Sequence, residues 1–498
     1  MTPWLFTLWA CGDGDGTVPP TDTTAPTDTT DTDTDTTVPP PPPPTPTDTA
    51  TTDGTDGTIP SGFVYPTAQD FSGFGWSDAF ALARAEIEAN YTVADHKGVD
   101  LVALGDTAAA AIATAETTVD LGAYYLAVRR YLWAIPDGRV SLVGPDQGQL
   151  AAHIAGSYGL AIDTLDDGAV VVSAILPGGS AEHASVTVGT TVTTWNGEPI
   201  AGALAGVELI WGERPPATDV GRARLAERLL VRGPVDATAE LGFLDAGGVP
   251  RTAELHAEND GYAGLELTSP IDLVDPAELV TFTLLPSGFG FLHLQLAAAA
   301  TVDTAEDAFR NFQNFGVPGA IVDFRGCDGD DQTAGAAMVS GLFTVPTFYM
   351  YQAWTNRATG QLERDPDNPL DLLEIVAPPF TYDGPVVALV NHGTSGACEP
   401  MVAAIAALPR TAVVGFDGTH GSPGLDTVRI DLPEGIAAIV PVGAPLAANE
   451  TIAWTSRADG TGGIAPTSPI ARTLDAVLAL RAGDSVEIEA AEAVLSTL

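Results

Sequence analysis

Beyond Leu284, short apolar runs alternate with helical stretches, and this alternation constrains the fold more than any other feature of the chain. Residues 289–296 read as a strand, 305–315 as a helix and 319–324 as a buried strand. Residues 386–391, 398–408 and 411–415 repeat the strand, helix, strand order. Such an order calls for a sheet with crossover helices. The region before it differs. Trp76, Phe80, Leu82 and Ile87 recur at near-helical spacing, and a second apolar helix covers residues 120–133. From Gly159 onward come short β-rich runs such as 169–175, punctuated by Gly and Pro. The expected class is therefore α+β.

Charge narrows the function. Only 20 basic residues face 65 acidic ones, a formal charge of −45 over 498 residues. A surface this acidic repels phosphate backbones, which excludes nucleic acid as a partner. Lys97 is the only lysine; every other basic residue is arginine or histidine. Residues 12 to about 60 are almost wholly Thr, Asp, Pro and Gly, with an unbroken run from Pro39 to Pro44. Such a segment buries too little to offset the entropy of ordering, and its prolines and repelling aspartates extend it. Before it, Leu8-Trp9-Ala10-Cys11 looks like a lipoprotein signal, with Cys11 as the lipidated residue. That reading makes the protein an extracytoplasmic lipoprotein, in the periplasm or on the cell surface, held to the membrane by a lipid anchor and spaced from it by the tract.

Two constellations carry resemblances. Tyr158-Gly159-Leu160-Ala161-Ile162 opens a strand, and Pro177 to Ile200 follows with a small-residue helix start, a strand and an Asn196-Gly197 turn. This resembles a PDZ domain. The resemblance implies that N–H groups of Gly159, Leu160 and Ala161 hold a peptide's terminal carboxylate while the peptide adds a strand. Further on stand Ser287-Gly288-Phe289-Gly290, Asp323-Phe324-Arg325-Gly326, Tyr382-Asp383-Gly384-Pro385-Val386-Val387, Leu432-Pro433-Glu434-Gly435 and Gly462-Gly463-Ile464-Ala465-Pro466. In order and spacing these are similar to the tail-specific, or carboxyl-terminal processing, serine peptidases, and Asp137-Gly138-Arg139-Val140 resembles an element of their helical part. The implied organisation is a signal at 1–11, a linker at 12–62, a helical region at 63–146, a PDZ-like domain at 147–258 and a crotonase-like α/β core at 259–498. No cofactor or metal is implied.

The resemblance puts the nucleophile in the turn Thr394-Ser395-Gly396-Ala397-Cys398-Glu399, at Gly396, which has no attacking atom. It puts the basic lysine near Gly421 or Ser422, and the histidine of the tricorn-like branch at Arg139, which stays protonated. Ser395 and His420 are the substitutes nearest those positions. Ser395 has a second reading, as a cap of the following helix. Gly329 and Ala397 are the implied oxyanion donors. Cys327 and Cys398 lie on loops that neighbour each other in the family, which implies a disulfide; Cys398 as a thiol nucleophile is the rival. The family function would be capture of polypeptide C-termini, or of unfolded protein, followed by peptide hydrolysis. The alternatives are a pseudopeptidase that binds without cutting and a surface scaffold with a vestigial groove.

Overall fold

The strands Ala320–Asp323 and Val386–Leu389 are buried at every residue, as central strands of a covered parallel sheet must be. In the computed structural model, which describes residues 62–269 and 279–498, they sit mid-sheet. The lipoprotein signal with Cys11, and the Thr/Asp/Pro tract up to residue 61, lie outside the described residues. The sheet runs Val280–Leu284, Gly290–Leu294, Ala320–Asp323, Val386–Leu389, Thr411–Gly415, Ser468–Pro469. Its first pairing is antiparallel and the rest are parallel. Alternate residues face opposite layers. Val322, Val386 and Ala388 pack with Phe309, Phe312, Met401 and Ile405 of the crossover helices. Ile321, Val387 and Leu389 pack with Ala491 and Leu495 of the C-terminal helix Val486–Leu495. Phe309 and Phe312, both essentially buried, contribute roughly 2–3 kcal/mol each by leaving water. Their helix, Val302–Phe315, stops at Gly316, whose left-handed backbone returns its N–H to Phe312 and Gln313.

The helices Trp76–Asn90, Leu101–Thr118 and Leu121–Trp133 form the N-terminal layer. Asp100 and Asp120 cap the second and third by accepting from Ala103 and Ala123 N–H. A second sheet binds this layer to the far end of the chain. Gln69–Asp70 pairs with Leu425–Asp431, and Ser141–Val143 with Ala437–Leu446. The strand Ala437–Leu446 contains Pro441, Gly443 and Pro445, residues that argue against a strand when read alone.

Between these parts lies a β domain of antiparallel strands, ordered Pro250–His256, Thr238–Leu244, Thr191–Trp195, Val170–Ile175, Leu160–Thr164. Asn196 and Gly197 both take positive φ, 51° and 78°, as the tight hairpin between Thr191–Trp195 and Glu198–Pro199 requires. Leu160–Thr164 is the terminal strand. The helix Asp219–Leu230 lies along it, and Glu227 accepts the Thr164 N–H at 2.9 Å. Buried charges bolt this domain to the core. Asp163 meets Arg472 at 3.1 Å and Arg481 at 3.0 Å, and Arg472 also meets Asp417 at 2.7 Å.

Candidate active site

Three loops leave the carboxyl ends of neighbouring parallel strands, the usual place for a site in an open α/β sheet. They are residues 324–331 after Ala320–Asp323, residues 390–397 after Val386–Leu389, and residues 416–424 after Thr411–Gly415. Short polar bonds sew the first two together. Asn391 Oδ1 accepts the Gly326 N–H at 3.0 Å, Thr394 Oγ1 donates to Phe324 O at 2.7 Å, and Ser395 N–H donates to Cys327 O at 2.8 Å. Cys327 and Cys398 are joined as a disulfide with Cα atoms 6.0 Å apart, so Cys398 offers no thiol nucleophile. The bridge closes a loop of 71 residues, which the chain-entropy model values at about 4 kcal/mol. Reduction, or replacement of both cysteines by alanine, is expected to lower the unfolding free energy by about 2–4 kcal/mol. Denaturant titration of oxidised and reduced protein checks this; coincident midpoints would contradict it.

The nucleophile position is closed sterically as well as chemically. Gly396 sits at φ +59°, and a Cβ there would meet Gly329 O at 2.2 Å and Asp328 Oδ1 at 2.6 Å. The expected oxyanion donors are already engaged. Ala397 N–H donates to Gly329 O at 2.8 Å, and Gly329 N–H donates to the Asp328 carboxylate. Neither points into an open hole.

Ser395 and His420 are not brought together as a pair. Ser395 is fully buried; its Oγ donates to Asp328 Oδ1 at 3.0 Å and accepts from Arg214 Nη1 at 2.6 Å. Nor does it cap the helix Cys398–Ala406, whose N-cap is Ala397 and has no side-chain cap. Arg139 does reach the site, as its place in the resemblance implies, and pairs with Asp328 at 2.9 Å and with Asp330. Burial alone would raise the Asp328 carboxyl, but Arg139 and Arg214 hold it well below the ordinary range. His420 Nδ1 instead meets Ser422 Oγ at 3.0 Å, and that oxygen also accepts the Gly138 N–H at 2.9 Å. Burial, reinforced by Arg214 and Lys97, pushes the His420 imidazole well below its usual pKa, so the ring is neutral. Arg214, Arg228, His392 and His420 border a small cleft beside it.

Glu399 holds the third loop in place. Its carboxylate accepts N–H bonds from Gly421 at 2.7 Å and Ser422 at 2.8 Å, and burial pushes its pKa up to about 7. Lys97, distant in sequence, is close in space. Its Nζ reaches Ser456 Oγ at 2.8 Å, and Ser456 N–H donates to Gly421 O at 2.9 Å. A serine and a lysine thus meet, but away from the nucleophile turn. In the β domain, Gly159 N–H is taken by Ser157 Oγ at 3.1 Å, while Leu160 and Ala161 open the terminal strand. Among the described residues no cluster of His, Cys, Asp and Glu suits a metal. Arg214 and Asp328 emerge only from the fold; no local pattern marks them, although Asp328 follows Cys327 directly, and Ser422 is marked only as a place near which the resemblance puts a lysine.

Residues 288–466 match the family model of peptidase family S41. The chloroplastic C-terminal processing peptidase of Tetradesmus obliquus is 26% identical over 337 residues, which are 64% of this chain and 63% of that protein. The chain thus spans just under two thirds of the length of that curated relative. Among solved structures, mature CPAF complexed with lactacystin superposes with a TM-score of 0.60 at 12% identity, over 85% of this chain and 99% of that one. Mature CPAF gives the same score and identity, over 85% and 98%. At that identity the likeness is one of fold.

Proposed function

We propose, from the match of residues 288–466 to peptidase family S41, that the protein binds polypeptide chains without cleaving them. The observation that carries this reading is the closed corner around Gly396. The Ala397 N–H is bound to Gly329 O, and no side chain fits at the nucleophile position. Binding would use the β domain in the manner of a PDZ domain, with the terminal strand Leu160–Thr164 extended by a peptide's C-terminal residues. Glu227 takes only the Thr164 end of that strand. We place the protein outside the cytoplasm, tethered through Cys11 by its lipid. The Cys327–Cys398 disulfide supports that location, since such bonds persist in oxidising compartments.

Titration of the full chain with an unstructured peptide and with its C-terminal amide tests the binding. The free carboxylate is expected to bind several-fold more tightly, and weakly in absolute terms, because a short added strand must offset the ordering of the peptide. Equal affinities would reject carboxylate recognition.

A second reading is a peptidase with a relocated pair. It is favoured by the contact of Ser422 Oγ with His420 Nδ1 at 3.0 Å. A neutral imidazole protonated on Nε2 accepts the hydroxyl proton in that geometry, as a general base does. Ser422 is nonetheless almost wholly buried.

A further inference from the structure

The only lysine of the chain lies wholly inside the protein, a poor place for an ammonium group. Lys97 Nζ has three polar neighbours: Ser456 Oγ at 2.8 Å, Pro136 O at 2.9 Å and Asp137 Oδ2 at 3.3 Å. Asp137 is buried too, with 5% of its side chain exposed. Its Oδ2 accepts from Tyr91 Oη at 2.9 Å and its Oδ1 from Arg139 N–H at 3.0 Å. Tyr91, which bonds Asp137, belongs with Ile135 and Val140 to the buried N-terminal core. We propose that Lys97 and Asp137 condense to an intramolecular isopeptide bond that ties the helix Ala94–Lys97 to the Asp137-Gly138-Arg139 turn.

The contacts fit the reaction. A neutral amine has two N–H groups and one lone pair. Ser456 and Pro136 take the two hydrogens at the shorter distances, and the lone pair is left for the carboxyl carbon of Asp137. Burial disfavours the ammonium form of Lys97 and lowers its pKa. One proton passes from the ammonium to the Asp137 carboxylate, which makes both groups neutral and reactive. Nζ then attacks Cγ. The Arg139 N–H steadies the oxygen that gains charge, as an oxyanion donor does. A proton from nitrogen joins the hydroxyl that leaves, so one water departs and an amide remains. Ser456 Oγ, in hydrogen-bond contact with Nζ at 2.8 Å, is the group at hand to carry that proton. No oxidant, reductant or cofactor is needed, and the fold supplies the proximity that drives such a step.

A single lysine makes the test direct. The full chain is purified, reduced, denatured and treated with an endoprotease specific for lysine. Complete resistance is expected, because the modified side chain is no longer recognised. Digestion at arginine should release one branched peptide that joins the Lys97 segment to the Asp137 segment, lighter than their sum by one water. Asp137→Ala should restore a single cut after Lys97. Complete cleavage of the wild type at Lys97, with both segments recovered separately at full mass, overturns the proposal whatever the variant does.

Discussion

Unfolded protein substrates are expected to survive incubation with the purified chain. Three losses coincide. Gly396 supplies no nucleophile, the expected base positions hold Gly421 and Arg139, and both oxyanion N–H groups are bound internally. Removing a serine nucleophile or its base lowers turnover on the order of 10⁶-fold, and removing both adds little more. Restoring the hydroxyl should not rescue activity. Gly396→Ser places a Cβ 2.2 Å from Gly329 O and forces a left-handed backbone that costs about 1–2 kcal/mol in a non-glycine residue. The assay follows release of peptides from an unfolded substrate, with Ser395→Ala, Ser422→Ala and His420→Ala in parallel. Robust cleavage by the wild type, abolished in Ser422→Ala and His420→Ala, would replace the binding reading by the relocated pair. Abolition in Ser395→Ala instead would revive the shifted nucleophile.

Arg472→Ala is expected to be the most damaging single change away from that site, at about 3–5 kcal/mol, because it strands buried carboxylates. Arg472 touches Asp163 of the β domain at 3.1 Å and Asp417 of the core at 2.7 Å, and all three side chains are at most 7% exposed. Asp163 keeps Arg481, and Asp417 keeps Arg224 at 3.5 Å and His392 at 3.4 Å, so the loss falls short of an isolated buried charge. Removing charge from both partners should cost less than removing one: Arg472→Met with Asp417→Leu is expected to be milder than Arg472→Met alone. Denaturant midpoints give the comparison. A loss below about 1 kcal/mol for Arg472→Ala would mean that the ions are solvated and the two parts are joined by apolar contact instead.

The core sheet was legible because its strands are short, apolar and separated by amphipathic helices, so periodicity alone separates them. Residues 386–391 and 411–415 read as strands and form Val386–Leu389 and Thr411–Gly415. The second sheet was not legible for two reasons. Its strand Ala437–Leu446 carries prolines that disguise it, and Ser141–Val143, which pairs with that strand, and Gln69–Asp70, which pairs with Leu425–Asp431, are too short to show any period. Thr347–Asn356, rich in aromatic residues, did carry a strand signal and could have been read. At the site, loss of the nucleophile was visible as a missing side chain at Gly396. The role of Ser395 was not, because its partners Arg214 and Asp328 lie far off in the chain and only the fold makes them neighbours. The same holds for Lys97, whose surroundings are set by Pro136 and Ser456.

The stitching of the N-terminal layer to the far end of the chain bears on how the protein is made. Ser141 lies opposite Ile439, so this ladder waits for roughly 300 residues of further synthesis. The early helices emerge with Ile112, Leu132 and Val140 destined for a core that Ile430, Leu432 and Val440 complete. Until those arrive, the nascent segment has an uncovered apolar face and an unpaired strand. The helical layer therefore completes its core only when the end of the chain has been made, whereas the β domain, whose core residues all lie between Tyr158 and Ala257, can close earlier.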